Sequence, residues 1–188
     1  MGHPVLRHRA EEVADPTAPT VRRLVADMRE TLSDAGGVGL AAPQVHAPLR
    51  LVIFSVPPAR AGSPEADAED GPVPATVLIN PTIEAIDETR ETDWESCLSL
   101  PGLSGAVPRY RRIRYAGLDL SGGAIERIAA GFHARVVQHE VDHLDGVLFP
   151  MRMTDLSLLM FTEEMRHGRP EMPPPPACTE PNGTERIS

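Results

Sequence analysis

Apolar residues recur at helical spacing in two parts of the chain. In the first part they lie three or four residues apart, at Val21, Leu24, Val25, Met28 and Leu32. This spacing places them on one side of a helix, so it predicts an amphipathic helix over about residues 20–34. The pair Gly36-Gly37 follows, and glycine is the residue that most often ends a helix.

The second helical pattern includes two histidines. Phe132, Val136, His139 and His143 lie at i, i+4, i+7 and i+11, and Gly146 follows as a C-terminal stop. The pattern predicts a helix over about residues 131–145 with an inward face that is partly apolar and partly imidazole.

Shorter apolar and β-branched runs predict strands. They cover residues 49–56, 76–80, 83–92, 107–120 and 124–129. Ser121-Gly122-Gly123 is the predicted turn between the last two, and residues 57–74, rich in Pro, Ala, Gly and acids, are a predicted surface loop. Thr154 is the predicted cap of a last helix through Arg166.

The ends of the chain have a different composition from its middle. Residues 1–19 are polar and are predicted to form an arm with little regular structure. Residues 168–188 are Pro-rich and poor in apolar side chains, which predicts a disordered tail. We therefore expect one domain over residues 1–167, which is long enough to bury a sizeable core.

Charge and hydropathy exclude several classes of partner. The formal net charge of −9 argues against non-specific nucleic-acid binding, and no basic patch with interleaved aromatics occurs. No run of about 18 apolar residues is present, so no membrane span is expected. The first residues lack the pattern of a signal peptide.

The two cysteines favour a reduced, cytoplasmic protein. A disulfide between Cys97 and Cys178 is arithmetically possible, but Cys178 lies in the Pro-rich tail. Cys97 is then free to act as a metal ligand, although a free cysteine on an apolar strand is more often a small buried hydrophobe.

The sequence His139-Glu140-Val141-Asp142-His143 is a candidate metal site. On a helix both imidazoles project from one face, where a single ion can bind them, and Glu140 can reach a water molecule on that ion. Two histidines on an ordinary helix are the plain alternative. A catalytic site normally has three protein ligands, and Cys97 is the best-placed cysteine to be the third.

Two further groups of residues allow either a structural or a functional interpretation. The run Gly37–Gln44 is glycine-rich, so its backbone could approach a ligand closely, or it is a plain loop between helix and strand. Four arginines are predicted to form a solvated strand face: Arg109, Arg111, Arg112 and Arg114. Alternatively, one of them pairs with Glu95 or holds a peptide carbonyl. Asp142 is predicted to be a solvated or capping acid.

Three segments together carry a resemblance to a known family. They are Gly37-Val-Gly-Leu-Ala-Ala-Pro-Gln44, Glu95-Ser-Cys-Leu-Ser99 and Gln138-His-Glu-Val-Asp-His143. In this order the chain closely resembles the peptide deformylases over about residues 3–165. These enzymes remove the N-formyl group from the initiator methionine of nascent chains. The resemblance implies a small α+β domain with antiparallel sheets packed around the metal-binding helix.

The resemblance also assigns roles to residues. Cys97, His139 and His143 match the three metal ligands, and Glu140 matches the catalytic carboxylate. Gln44 and the backbone N–H of Leu98 match the groups that hold the oxyanion, and Gly39 matches a glycine of the substrate groove. The implied metal is Fe²⁺, with Zn²⁺, Ni²⁺ or Co²⁺ as substitutes. From the helical stripe we expect Phe132 and Val136, together with Val38, to hold the methionine side chain.

Two residues depart from the family pattern. Ser96 stands where the family usually has glycine, which would cost energy if that backbone needed a conformation that glycine alone adopts easily. His46 likewise stands where glycine is usual, and it is predicted to lie on the surface.

Two alternative functions remain beside deformylation. One is a His-Glu-x-x-His metallopeptidase, although no third His or Glu follows at the usual spacing. The other is a non-catalytic relative that binds formylated peptides, which Ser96 alone favours. The expected partners are an N-formyl-methionyl peptide or nascent chain and, as a candidate, the ribosome surface, with no membrane and no direct contact to nucleic acid.

Overall fold

Two antiparallel sheets and two helices carry the site. A computed structural model describes residues 1–62 and 68–172. Five strands form the larger sheet, in the order β1-β2-β3-β6-β7: β1 Gly39–Ala41, β2 Leu51–Val56, β3 Val73–Ala85, β6 Arg112–Leu118 and β7 Ala124–Ala130. Three form the smaller sheet, in the order β4-β5-β8: β4 Arg90–Ser96, β5 Leu103–Tyr110 and β8 Leu159–Phe161.

Strand β2 of the larger sheet is buried on both faces. In β2, Leu51 and Ile53 pack in one apolar cluster, whereas Val52 and Phe54 pack in another. Side chains of a strand alternate between faces, so the two clusters lie on opposite sides of the sheet. This is why the β2 sequence is an almost continuous apolar run.

Helix α1, Pro19–Ala35, covers one of these faces. Val21, Val25 and Met28 pack in the cluster that contains Leu51 and Ile53. The helix ends at Gly36 in a left-handed conformation (φ 65°), whose N–H bonds to the last turn. The predicted helix over residues 20–34 is thus confirmed.

Helix α2, Gly131–Leu144, lies on the other face. Ala134, Val137, Val141 and Leu144 pack in the cluster with Phe54. Asp70, from the loop before β3, accepts a hydrogen bond from the His133 N–H (3.4 Å) and lies at the helix N-terminus, where a negative charge is favourable. Glycine is favoured at Gly131 because φ is positive there (53°) and a Cβ would also lie 2.2 Å from Asp70 Oδ2.

Three predicted strands were wrong in their extent. Residues 76–80 are only the middle of β3, which runs over Val73–Ala85. Residues 107–120 are split at Arg111 between β5 and β6, which belong to different sheets. Residues 83–92 are likewise divided, because β3 ends at Ala85 and a turn leads to β4, with Thr89 N–H donating to Asp87 Oδ1 (2.8 Å). An apolar pattern marks extended backbone, but it does not reveal where the chain leaves one sheet for another.

The predicted last helix over residues 154–166 was also wrong. The chain forms a short 3₁₀ turn at Leu156–Leu158, strand β8, and a second 3₁₀ turn at Thr162–His167. Strand β8 pairs with Leu103–Gly105 of β5, so hydrogen bonding to a neighbouring strand overrides the helical spacing of the apolar residues.

The chain ends contain little regular structure where the structure describes them. The N-terminal arm contains one 3₁₀ turn, Pro4–Arg7. Residues 168–172 are exposed and lack helix or strand, whereas the remaining tail, with Cys178, and residues 63–67 of the predicted loop lie outside the described residues. Within the described ranges, no helix has the length and hydropathy needed to cross a bilayer.

Candidate metal centre

The predicted metal ligands come together at the junction of the two sheets. One ligand atom each from Cys97, His139 and His143 lie within 4.8 Å of one another. Cys97 follows the last paired residue of β4, and the histidines lie one turn apart on α2. The Cys97 sulfur is 3.3 Å from His143 Nε2.

Glu95 orients the first histidine. Its Oε2 is 2.8 Å from His139 Nδ1, which leaves the Nε2 side of the ring for the cluster. Arg109 donates to both oxygens of Glu95 (2.9 and 3.0 Å), and Arg135 donates to Oε1 (2.9 Å). Burial by itself would raise the pKa of Glu95, but the hydrogen bonds from Arg109 and His139 hold the pKa of this carboxyl well below its usual range.

This buried network corrects two predictions and confirms one alternative. Arg109 is 5% exposed, so it is not part of a solvated face, and its pairing with Glu95 is the alternative that the sequence left open. Asp142 is 7% exposed and accepts hydrogen bonds from Arg109 and Arg152, so it is neither solvated nor a cap. Arg135 gave no sequence signal beyond its position four residues before His139.

Glu140 lies beside the cluster and is buried. Burial raises the pKa of its carboxyl to about 7, so the group can exchange a proton near neutral pH. Among the described residues, the buried Glu140 Oε2 atom has no hydrogen-bond partner. The carboxylate therefore retains a free acceptor.

The two imidazoles differ in charge. Burial disfavours the protonated ring of His139, but the hydrogen bonds to Cys97 and Glu95 outweigh it and raise the pKa to about 10. Burial and the neighbouring His139 lower the pKa of His143 to about 3. A cation at this cluster would replace the proton of His139, because a ligating imidazole is neutral.

Gln44 points its amide nitrogen at the cluster. The Ala41 N–H donates to Gln44 Oε1 (2.8 Å), and this bond turns Nε2 toward Ser99 Oγ (3.2 Å) and the Cys97 sulfur (3.6 Å). Leu98 is two-fifths exposed and lies two residues beyond Ser96, where the β4–β5 ladder ends, so its N–H is not part of that ladder.

The predicted substrate residues lie along α2 and β1. Val38, Val136 and Phe132 all belong to the apolar cluster between α2 and the larger sheet. Gly39 lies against the Glu140 carboxylate, since a Cβ there would be 2.3 Å from Glu140 Oε1. Phe132 is about two helical turns from His139 and also lines a polar cavity with Arg60, Asp70 and Asp93.

The two departures from the family pattern are accommodated locally. Ser96 is the last residue of β4, pairs with Ser104, and has extended backbone, so no glycine conformation is needed. His46 does occupy a left-handed conformation (φ 65°) at the end of a 3₁₀ turn, and it is exposed, as predicted.

The donor set suits a transition metal. One thiolate and two imidazoles are ligands that Zn²⁺ and Fe²⁺ both accept, and three protein ligands leave one coordination position open.

The chain is similar in sequence to known proteins. The sequence model of the family described as polypeptide deformylase matches residues 1–158. Peptide deformylase 1 of Nitrosomonas europaea is 48% identical over 170 residues (90% of this chain, 93% of the relative). Peptide deformylase 1 of Bordetella pertussis is 51% identical over 174 residues (93% and 94%).

Solved structures show the same similarity. Peptide deformylase from Ehrlichia chaffeensis superposes with a TM-score of 0.74 at 33% identity, covering 84% of this chain and 87% of that one. A Met-Ala-Ser-bound class I type b peptide deformylase from Acinetobacter baumannii gives 0.70 at 33% identity, covering 81% and 95%. The chain belongs to the polypeptide deformylase family.

Proposed function

We propose that the chain hydrolyses the N-formyl group of formyl-methionyl peptides with Cys97, His139 and His143 as metal ligands and Glu140 as the general base. Removal of this formyl group is the activity of the family to which the chain belongs. The observation that carries the assignment is the convergence of a thiol and two imidazoles beside a buried carboxylate.

A divalent ion at these ligands supplies Lewis-acid activation of water and of the formyl carbonyl. Glu140 accepts the proton of the attacking water and later passes it to the leaving amine, for which its raised pKa is suited. Formate and a free amino terminus are the products.

Gln44 and Leu98 hold the negative charge that develops on the formyl oxygen. The Gln44 amide is fixed in direction before substrate arrives, because its oxygen is bonded to the Ala41 N–H. Preorganised donors of this kind are each worth about 3 kcal/mol of barrier. The Leu98 N–H is the second donor.

We propose Fe²⁺ as the resident ion, with Zn²⁺, Ni²⁺ or Co²⁺ as substitutes. The donor set binds each of these ions, so the identity rests on the family resemblance. A cysteine ligand makes a ferrous site sensitive to oxidation, because the sulfur itself is oxidisable.

We propose that the methionine side chain of the substrate packs against four residues: Val38, Gly39, Val136 and Phe132. Val38, Val136 and Phe132 pack in one apolar cluster, and Gly39 lies against Glu140. The solved relative from Acinetobacter baumannii holds Met-Ala-Ser. We infer nascent chains as substrates, the cytoplasm as location, residues 1–167 as the catalytic domain, and the ribosome surface as a candidate partner.

Formate release from formyl-Met-Ala-Ser by the Fe²⁺-loaded protein tests the proposal. Glu140→Gln keeps the shape but removes the base, so kcat should fall about 10²- to 10⁴-fold while metal content stays the same. Glu84→Gln, an exposed carboxylate on β3, is the matched control and should match the unaltered protein.

Other peptides separate the alternatives. Formyl-Gly-Ala-Ser should have a kcat/KM at least tenfold lower, since burial of the methionine side chain is worth about 1.5–3 kcal/mol. Cleavage inside acetyl-Met-Ala-Ser would indicate a metallopeptidase instead. Binding of formyl-Met-Ala-Ser without formate release would indicate a non-catalytic binding protein.

A further inference from the structure

The segment after α2 touches both elements that carry metal ligands. It comprises residues 149–167, here called the brace segment, with 3₁₀ turns at Phe149–Arg152, Leu156–Leu158 and Thr162–His167 and strand β8 between the last two. Two polar chains lead from this segment towards the metal centre, and each ends at the residue that precedes a ligand.

The first chain begins at Arg152. Its guanidinium donates to Asp142 from Nε (3.1 Å) and from NH2 (2.7 Å), so the pair is bidentate. Asp142 directly precedes His143, and the same carboxylate also accepts from Arg109. Arg109 in turn holds Glu95, which orients His139, so hydrogen bonds connect Arg152 to His139, whereas its link to His143 is the backbone of Asp142.

The second chain begins at Thr162. Its hydroxyl lies 2.7 Å from Ser104 Oγ, and Ser104 Oγ lies 2.6 Å from Ser96 Oγ. Ser104 is fully buried, so this hydroxyl depends on its two partners. Ser96 directly precedes Cys97, and the chain therefore ties the thiol-bearing end of β4 to the brace segment.

Phe149 adds an apolar contact to these polar ones. Its ring lies 6.5 Å from that of His139, at an interplanar angle of 22°, and is 1% exposed. Phe149 also shares an apolar cluster with Cys97 and Leu148. The brace segment thus places an aromatic ring beside one histidine ligand and in the same apolar cluster as the cysteine ligand.

We infer that the brace segment positions the metal ligands, with Arg152 and Thr162 as positioning residues for the two halves of the site. Arg152 restrains His143 through Asp142, and Thr162 restrains Cys97 through Ser104 and Ser96. The inference rests on the proposed metal centre but not on the amide that it hydrolyses. Mutation of a group that holds a metal ligand in place typically lowers metal affinity 10- to 100-fold.

The rate of Zn²⁺ transfer to an excess of a chromophoric chelator tests this inference without substrate. Arg152→Gln removes the two-point contact and Thr162→Val removes the hydroxyl. Arg166→Gln and Thr31→Val are matched controls, because both side chains are exposed and bond locally. Thr162→Ser restores the hydroxyl. The unfolding temperature of each variant is also measured without metal, as a check on its stability.

We expect Arg152→Gln and Thr162→Val to release Zn²⁺ at least tenfold faster. Thr162→Ser and both controls should stay within twofold of the unaltered protein. Arg152→Lys keeps the charge but cannot form the two-point contact, so its Zn²⁺ release rate should lie between those of the unaltered protein and Arg152→Gln. It replaces Arg152→Gln in the test if that variant does not fold. Metal-free unfolding temperatures of the brace variants should resemble those of the controls.

Two results would overturn the inference. The first is release within twofold of the unaltered rate in both brace variants. The second is faster release that accompanies an equally large loss of metal-free stability, which would indicate a general structural role. If the unaltered protein exchanges Zn²⁺ as expected but releases no formate, only the proposed activity is rejected. If the unaltered protein does not bind Zn²⁺, both the proposed activity and this inference are rejected.

Discussion

At the scale of single residues, distances explain why certain side chains are small or charged. Gly39 belongs to the glycine-rich segment Gly37–Gln44. A Cβ at Gly39 would lie 2.3 Å from the Glu140 carboxylate. Gly39 therefore lets β1 approach α2 closely enough for Glu140 to stand beside the metal ligands. Distances also explain the charge of Glu95. This one buried carboxylate accepts hydrogen bonds from His139, Arg109 and Arg135.

Gly39→Ala should lower kcat/KM for formyl-Met-Ala-Ser by about 10²-fold, because a displacement of about 1 Å at a catalytic group costs this much. Gly37→Ala is the matched control: its nearest neighbour is Leu32 Cδ1 at 2.8 Å, the end of a flexible side chain. The loss in the control should be much smaller. Full activity of Gly39→Ala would show that Glu140 can relax without cost.

At the scale of elements, two left-handed residues end or bend regular structure. His46 (φ 65°) ends the 3₁₀ turn that carries Gln44, and its ring stacks on His3 with centroids 4.3 Å apart. Asn80 (φ 51°) lies in β3, where the pairing with β6 shifts register between Ile79 and Thr82. This bulge, next to Pro81, explains why β3 had the pattern of an interrupted strand.

The two positions should respond to glycine with opposite signs. His46→Gly relieves a left-handed backbone at an exposed site, so the free energy of unfolding should stay equal or rise by up to about 1 kcal/mol. Asn80→Gly removes two hydrogen bonds to Val13 (2.9 and 3.0 Å) and should cost about 2 kcal/mol. Urea denaturation measures both, and equal shifts of the same sign would contradict this account.

At the scale of the whole molecule, the metal centre joins the parts of the fold. Cys97 comes from the smaller sheet, the histidines come from the helix that packs on the larger sheet, and Gln44 comes from the turn after β1. A ligand bound by all of these elements favours the folded state over the unfolded chain.

Zn²⁺ at 100 times its Kd should therefore stabilise the chelator-treated protein by about 2.7 kcal/mol, which raises Tm by roughly 5–10 °C in a chain of this size. Calorimetry with and without the ion measures the shift. Cys97→Ala removes one ligand and should lose most of it. An equal shift in that variant would show that the ion binds elsewhere.

The sequence by itself determined the local features of this protein. The spacing of Val21, Val25 and Met28 predicts α1, and the i, i+4 pair His139 and His143 predicts a two-histidine face, because both are consequences of helical geometry alone. The order of the three motifs identified the family. The third ligand, Cys97, was named from that order and from the need for three ligands.

Only the tertiary structure decided how charges are satisfied and where strands pair. Arg109 and Asp142 are charged residues of the kind that usually lies on the surface. They are buried here because partners on different elements neutralise their charges. Residues 107–120 divide between two sheets, and residues 154–166 form β8 and 3₁₀ turns, since pairing partners lie far away in the sequence. Such contacts depend on distances in space, which spacing along the chain does not encode.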